Sequence, residues 1–382
     1  MQSIYLDNAA TSFPKPPAVA DAMMQYLCEV GAPINRSVYA AAQKAELVTY
    51  SLRERLCRLF HFDAPDHVIL TPGNTAALNM VLKGHLRPGD HCLVSAMEHN
   101  AVMRPLQQLA GQGVTFDRVP CDAMGFLHPE DIVPCIRPNT RLMVVAHASN
   151  VSGTVQDLNA VGAVCAQHGI PLVADAAQTA GHFPIDFAAA KLSALTVPGH
   201  KGLLGPAGIG ALLVTPDFAE TLTPLIAGGT GSLSDSEALP PFFPDRLEAG
   251  TANVPGIYGL EAALAFLEQT GIDAIRDHEL MLTQQFLEGL RRISHVHLIG
   301  TEDLSRRVGV ISLDFPGRDN GECAYALEQS FGILTRCGLH CAPAAHRTLG
   351  TYPRGTVRFS LSRYNTTAHV QAVLDALRQM AR

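Results

Sequence analysis

Charged side chains are scarce in this 382-residue chain: 28 Lys and Arg stand against 35 Asp and Glu, 16% in all, where an average soluble domain carries about 25%. The formal charge is −7, and the basic residues occur singly or in pairs such as Arg291-Arg292 and Arg306-Arg307, which excludes the basic stripe of a nucleic-acid surface. No run approaches the ~18 apolar residues of a membrane-crossing helix, and Met1-Gln2-Ser3-Ile4-Tyr5 offers no basic segment ahead of an apolar one. The expectation is a protein with no membrane partner, not exported, in the cytoplasm. Nine cysteines, an odd number running from Cys28 to Cys341, contain no CxxC pair; they do not read as a disulfide framework and fit a reducing compartment. GxxxxGK[ST] is absent, and Gly205-x-x-Gly208-x-Gly210 runs into a strand pattern without opening a helix, so neither Walker-type nor Rossmann nucleotide binding is indicated.

What the chain does have is apolar material, 47% of its residues, and a length suited to two domains, or one large domain with a smaller companion. With so little charge, part of its surface is expected to be covered by another subunit. Short β-branched runs alternate with helical patterns over the first two thirds, the signature of a parallel α/β sheet. Strands are expected at 67–71, 91–95, 114–119, 141–147, 171–175, 192–197 and 209–215, with helices at 74–84, 103–111 and 158–168. A long helical stretch at 257–293, broken near Gly271, leads to strands at 308–314, 332–335 and 356–361. A closing helix at 366–380 starts from a Thr366 cap.

Five segments carry residue types suited to chemistry. The loop Pro198-Gly199-His200-Lys201-Gly202-Leu203-Leu204-Gly205-Pro206 follows LSALTV, which sets Lys201 at the carboxyl end of a parallel strand, where open α/β sheets bind ligands. A solvated loop lysine is the plainer reading of the same residues. Asp175 ends PLVAD ahead of Ala176-Ala177-Gln178 and shares that rim. A pyridoxal phosphate (PLP) site needs such a pair, an amine to form a Schiff base and an acid to keep the pyridine nitrogen protonated, whereas a helix-capping role explains Asp175 on its own. Pro72-Gly73-Asn74-Thr75-Ala76-Ala77 opens a helix after VILT; its N–H groups and the Thr75 hydroxyl could hold a phosphate, or simply cap the helix. His99, in Met97-Glu98-His99-Asn100 after HCLVS, could stack on a planar cofactor and shuttle protons, or stand as a surface histidine. Arg336-Cys337-Gly338-Leu339-His340-Cys341-Ala342-Pro343, with His346 behind it, supplies four candidate zinc ligands in Cys337, His340, Cys341 and His346, but at intervals of no familiar zinc pattern. A nucleophilic thiol beside a basic group is the sharper reading, so no metal is expected.

These pieces fall in one order: IYLDNAAT at 4–11, TPGNTAALN at 71–79, MEHN at 97–100, ASNVSGT at 148–154, DAAQ at 175–178, GHKGLLGPAGIG at 199–210, EAGTANVPG at 248–256, GLHCAP at 338–343 and VRFSLSRYNT at 357–366. Nearly end to end, the chain resembles the cysteine desulfurases of the class V aminotransferase group, PLP enzymes of fold type I, and RCGLHCAP is similar to the group-II branch, in which the cysteine sits on a compact loop. The resemblance implies a large PLP-binding domain over 15–260 with a mainly parallel seven-stranded sheet. It implies a smaller α+β domain from 1–14 and 261–382 that carries the cysteine loop.

By the same resemblance Lys201 would hold PLP, Asp175 would pair with the pyridinium nitrogen, Gln178 would bond the phenolic oxygen and His99 would stack on the ring. Asn74, Thr75 and His200 would contact the phosphate, helped by Thr251 of a neighbouring subunit in a homodimer. Arg358, Asn150 and Asn8 would bind the substrate, L-cysteine or L-selenocysteine, and Cys341 would take its sulfur as a persulfide, leaving L-alanine and passing sulfur to a thiol or an acceptor protein. Cys337 is the rival nucleophile, and His340 could favour the Cys341 thiolate or stand solvated. The competing activities are a selenocysteine lyase or a transaminase of the same fold. A non-catalytic sulfur- or zinc-binding module is opposed by the joint presence of Lys201, Asp175 and Arg358. Two departures stand out: Pro198 occupies the position of a frequent phosphate-binding Ser, for which Thr196 or backbone amides are the candidate substitutes, and Asn35-Arg36-Ser37 lacks the histidines of many group-II members.

Overall fold

The structure, a computed structural model, describes residues 3–35 and 37–380. Val68–Thr71, His91–Ser95, Thr115–Val119, Thr140–Ala146, Leu172–Asp175, Ala194–Pro198 and Gly210–Val214 form one seven-stranded sheet. Each overlaps an expected run, His91–Ser95 matching it at both ends and the others to within two residues. Across the sheet the strands lie in the order of their first residues 68, 210, 194, 172, 140, 91, 115, and only Gly210–Val214 runs antiparallel to its neighbours. The strands His91–Ser95, Ala194–Pro198 and Gly210–Val214 are buried at every position, because helices cover both faces of the sheet. Leu52, Leu56 and Phe60 from Ala40–Phe60, Val161 from Leu158–Gln167 and Leu260 from Val254–Thr270 pack one face. Leu78 and Leu82 from Asn74–His85 and Val102 and Leu106 from Asn100–Ala110 pack the other.

The long helical stretch is two helices, Val254–Thr270 and Ile272–Leu290, broken where expected at Gly271. Its φ of 83° is one that side-chain-bearing residues adopt at a cost. The second sheet is antiparallel, with Arg336–Gly338, Thr356–Ser360, Val310–Asp314 and His297–Ile299 side by side. Phe286, Phe315, Leu327, Phe359 and Leu374 fill its core together with Leu6. The strand expected at 332–335 divides: Ile333–Leu334 pairs in parallel with Ile4–Tyr5, while Arg336–Gly338 turns to Thr356–Ser360. Thr366 caps Thr367–Gln379 by accepting from His369 N. No helix among the described residues is long and apolar enough to cross a membrane.

A mostly buried ion pair ties the two parts together. His182 Nδ1 meets Glu279 Oε2 at 3.1 Å, joining the helix Ile272–Leu290 to the segment that packs behind Gly202. Burial works to lower the His182 pKa, but the Glu279 charge and hydrogen bond outweigh it, and the net direction is up. The imidazolium is therefore favoured in the fold, so the stabilisation is fully present below the unfolded value of about 6.5 and is lost as pH rises through the raised folded value. Glu279→Gln is expected to cost about 3 kcal/mol at pH 6 and clearly less at pH 9. Thermal unfolding of both proteins at both pH values checks this, and an equal drop in Tm at the two would refute a charged pair.

Candidate active site

The candidate residues meet because each follows a strand end at the carboxyl rim of the larger sheet. Thr71 leads to Asn74 and Thr75, Ser95 to His99, Ala146 to Asn150, and Pro198 to His200 and Lys201, while Asp175 closes its own strand. Arg336, His340, Cys341 and Arg358 arrive from the second sheet and the loop beside it. All of them line one cavity of about 710 Å³.

Lys201 is held by a turn in which Gly199 N donates to Ile209 O, Leu204 N to Lys201 O and Gly205 N to Gly199 O. No side chain fits at Gly202, whose Cβ would lie 2.2 Å from His182 Nε2 and 2.3 Å from Ala180 O. Lys201 is half-buried on the cavity wall and is not a freely solvated loop lysine. Burial pulls its ammonium down to about 8, Asp175 works against that, and Arg358 and Arg336 add to it. Asp175 Oδ1 accepts from Asn74 Nδ2 at 2.8 Å and from Ala177 N at 2.9 Å. No helix follows Asp175, so the bond from Ala177 N closes a turn and is not the helix cap that the sequence allowed; Oδ2 has no hydrogen-bond partner among the described residues.

His99 likewise does two things. Its Nδ1 accepts from Ala101 N at 3.0 Å and caps the helix Asn100–Ala110, which leaves only Nε2 for proton exchange. Burial lowers its pKa to about 4, so the ring is neutral at ordinary pH. Beneath it Glu98 is wholly buried, accepts from Ser95 Oγ and Ala146 N, and is pushed up by burial to about 8. Gln178 Nε2 donates to Ala9 O at 3.1 Å, and the residue lines the cavity. Thr75 and His200 also line it, as does Pro198; burial lowers the His200 pKa to about 4. Thr196 Oγ1 is buried and unpartnered but does not line the cavity.

At the other end, Arg358 is almost fully buried. Its Nη1 donates to Asn150 O at 3.0 Å and its Nη2 to Asp7 Oδ1 at 2.7 Å, while Nε finds no partner. Arg336 lies directly opposite Arg358 in the antiparallel pair and makes no ion pair among the described residues. Asn150 Nδ2 donates to His340 O at 2.7 Å, and Asn100 N donates to Cys341 O at 2.7 Å, so the cysteine loop is pinned from two sides. His340 and Cys341 both have left-handed backbones, with φ of 47° and 58°.

Several expectations change. His340 is neither solvated nor able to favour a thiolate as a cation: it is buried, its Nε2 lies 3.1 Å from Thr356 Oγ1, and burial lowers its pKa to about 2. Asn8 lies outside the cavity lining, with Nδ2 donating to Ser360 O and Oδ1 accepting from Phe13 N. Thr251 also lies elsewhere, in a hollow shared with Tyr26, Asn35 and Thr230. Arg36 of the Asn-Arg element is outside the described residues. Asp7, Glu98 and Arg336 were not singled out as site residues. All three stand inside segments quoted above, and only a knowledge of which strands pair points to Asp7 and Arg336.

A mainly parallel sheet that brings a lysine and an aspartate to its carboxyl rim, closed by a smaller sheet bearing an arginine, is the architecture of the class V aminotransferases. A family profile described as Aminotransferase class-V matches residues 4–373. A protein of Methanothermobacter thermautotrophicus named "Probable cysteine desulfurase" is 33% identical over 382 residues, covering 99% of this chain and 94% of the relative. The apo structure of the cysteine desulfurase from Thermococcus onnurineus NA1 superposes with a TM-score of 0.92 at 30% identity, over 99% of this chain and 94% of that one. The Escherichia coli cysteine desulfurase in an S-sulfonic acid form gives 0.89 at 29%, with 99% and 94% covered. The chain belongs to the cysteine desulfurase family, whose members are PLP enzymes.

Among the nine cysteines, only Cys28 and Cys341 are exposed. Cys337 is half-buried and burial raises its thiol pKa, while Cys92, within the sheet, is raised further by the same cause. Brief treatment with iodoacetamide is expected to label Cys28 and Cys341 first, Cys337 at least about ten-fold more slowly and Cys92 last. Peptide mapping over time reads the order, and early labelling of Cys337 ahead of Cys341 would contradict it.

Proposed function

We propose that the cavity holds PLP and that the enzyme removes sulfur from L-cysteine, releasing L-alanine and leaving a persulfide on Cys341. The observation that carries this reading is the convergence on one cavity of an amine drawn down by burial to about 8, a carboxylate with a spare oxygen, an arginine with a spare buried donor and an exposed thiol. That donor set fits the cofactor. Lys201 would bond it covalently, Asp175 Oδ2 would accept from its ring nitrogen, Gln178 would reach its phenolic oxygen and the neutral His99 ring would cover its face. Asn74, Thr75 and His200 would hold the phosphate. In this reading residues 15–260 make the cofactor domain, and 1–14 with 261–382 make the smaller domain that carries the Cys341 loop.

When bound, the cofactor supplies an electron sink conjugated with the substrate amine. The chain's own groups do the rest. Arg358, through Nε, and the unpaired Arg336 hold the substrate carboxylate, with Asn150 beside them. The Lys201 amine, uncharged in a substantial fraction near pH 8, takes the Cα proton and returns one as alanine forms. The Cys341 thiolate attacks the substrate sulfur: the Cys341 Sγ–S bond forms, the substrate Cβ–S bond breaks, and its electron pair stays with the alanine skeleton to be protonated. A thiol or an acceptor protein then collects the sulfur.

The low charge content and the exposed Val38, Tyr39, Leu47 and Tyr50 support a homodimer in which Thr251, outside its own chain's cavity, completes the phosphate site of the opposite subunit. Mixing Lys201→Ala with Thr251→Ala chains is then expected to restore activity, since every heterodimer that forms carries both defects in one site and leaves the other intact. Sedimentation showing only monomer while activity persists would overturn the shared site.

Borohydride reduction of the holoenzyme should fix the cofactor on the peptide containing Lys201, and Lys201→Ala should lose turnover. Cys341→Ser is expected to keep the cofactor and bind L-cysteine yet release alanine at least about a thousand-fold more slowly, with Cys337→Ser largely active. Selenocysteine cleavage should survive Cys341→Ser better, because selenium leaves more readily. Full cysteine turnover by Cys341→Ser would sink both the nucleophile and the desulfurase reading.

A further inference from the structure

Cys341 lines two hollows at once. Inward it meets the cavity of Lys201 and Arg358; outward it meets an open groove of about 480 Å³ that shares Thr75, Asn79, His99 and Ala101 with the cavity and adds Asn100, Arg104, Pro105 and Gln108 of its own. No carboxylate lines this groove, although the chain as a whole carries a charge of −7. Arg104 is exposed and forms no ion pair or side-chain hydrogen bond with any described residue. Its neighbours one helical turn away, Asn100, Ala101, Gln107 and Gln108, are all neutral, so nothing on its own helix can neutralise it. The hydrogen bond from Asn100 N to Cys341 O fixes that helix to the cysteine loop, and Arg104 follows Asn100 by about one turn, ~5 Å along the axis.

We propose that the outer groove is a subsite for a low-molecular-weight thiol bearing a carboxylate, the acceptor that removes sulfur from Cys341, with Arg104 as its anion anchor. The inference rests on the desulfurase reading, in which Cys341 carries a persulfide. The acceptor thiolate attacks the outer sulfur: an acceptor S–S bond forms, the Cys341 Sγ–S bond breaks, and its electron pair returns to Cys341 as thiolate. The acceptor's proton has gone to solvent, and no external oxidant or reductant is required. The groove falls in the usual range of small-ligand clefts, about 300–1,000 Å³. Its apolar wall residues Ala101 and Pro105 are themselves buried, so it offers a compact polar ligand more than it offers a protein surface. An exposed guanidinium favours such an anion by a few-fold at low salt, enough to select among thiols of equal reactivity.

The holoenzyme is loaded with L-cysteine in the absence of reductant, desalted, and mixed at low ionic strength with 3-mercaptopropionate, 2-mercaptoethanol or cysteamine. Loss of the added sulfur from the Cys341 peptide is followed by mass spectrometry. Rates are expressed per loaded persulfide and divided by the rate of each thiol with a free alkyl persulfide. For the wild type the corrected rate should favour 3-mercaptopropionate over cysteamine by about three-fold or more, and the preference should shrink as salt passes ~0.15 M. Arg104→Lys should keep the preference, and Arg104→Glu should invert it. The same corrected ratio in the wild type and Arg104→Glu would overturn the anchor while leaving the desulfurase reading intact. Absence of any persulfide on Cys341 after exposure to L-cysteine would instead bring down that reading, and this inference with it.

Discussion

Everything at this site depends on keeping one amine out of water beside one carboxylate. A lysine of ordinary pKa is charged at neutral pH and useless as a base or nucleophile, and burial is what brings Lys201 down to about 8. Burial in turn requires a turn with no side chain at Gly202, where His182 and the Ala180 carbonyl already fill the space. It also requires an opposing charge, without which an isolated buried ammonium would cost far more. Asp175 supplies that charge from the next strand, which ends opposite Thr196 while the neighbouring strand runs on to Pro198 and into the lysine turn. The helix at Ile272–Leu290 enters through His182, so the linker to the second sheet stands directly behind the lysine turn.

The cysteine loop meets a second constraint, which is conformational. His340 and Cys341 are consecutive residues in the left-handed region, where a non-glycine residue loses about 1–2 kcal/mol. Glycine would relieve the strain but would carry neither ring nor thiol. Three bonds hold the loop in place: Asn150 on the His340 carbonyl, Asn100 on the Cys341 carbonyl and the His340 ring against Thr356. Two of these come from the rim of the larger sheet and one from the smaller sheet. The thiol is therefore fixed relative to Lys201 by the docking of the two sheets, and the buried neutral His340 acts by placing its neighbour.

Much of this was legible in the chain itself, and the reasons differ from residue to residue. The inner strands of the larger sheet were readable because burial on both faces leaves nearly unbroken apolar runs, the half-exposed edge strand Thr115–Val119 carrying no such run, and the rim residues followed because ligand-bearing loops leave the carboxyl ends of parallel strands. Gly271 marked the helix break by its type alone. The division of 332–335 into two strands was not readable: it depends on Ile4–Tyr5 arriving from more than 300 residues away, and local alternation carries no trace of that partner. The same first segment runs on to bring Asp7 to Arg358, while the separate pairing of Arg336–Gly338 with Thr356–Ser360 sets Arg336 opposite it. Asn8 was misplaced for a related reason: its amide is spent tying the first segment to Ser360. His340 was open to the wrong role because a loop position suggests solvent, and only the packed structure shows the ring inside.

The facing arginines carry the synthesis one step further. Like charges directly opposite on paired strands are destabilising, and here Arg336 and Arg358 face one another at the wall of a cavity that also holds Lys201. Asp7 and the Asn150 carbonyl satisfy two donors of Arg358, which offsets part of the repulsion but leaves its Nε and the whole of Arg336 without a described counter-charge. Such an arrangement gains most from an anion that enters from solvent and can bond both guanidinium groups. In the proposed reading a substrate carboxylate would do that, fixing the amino acid between the amine at one end of the cavity and the thiol at its mouth. The cavity interior must stay dry enough to depress the lysine, whereas the thiol must stay open enough to hand on what it receives. Placing Cys341 on the wall shared by the cavity and the outer groove meets both demands with one residue, and the strain in its backbone follows from standing there.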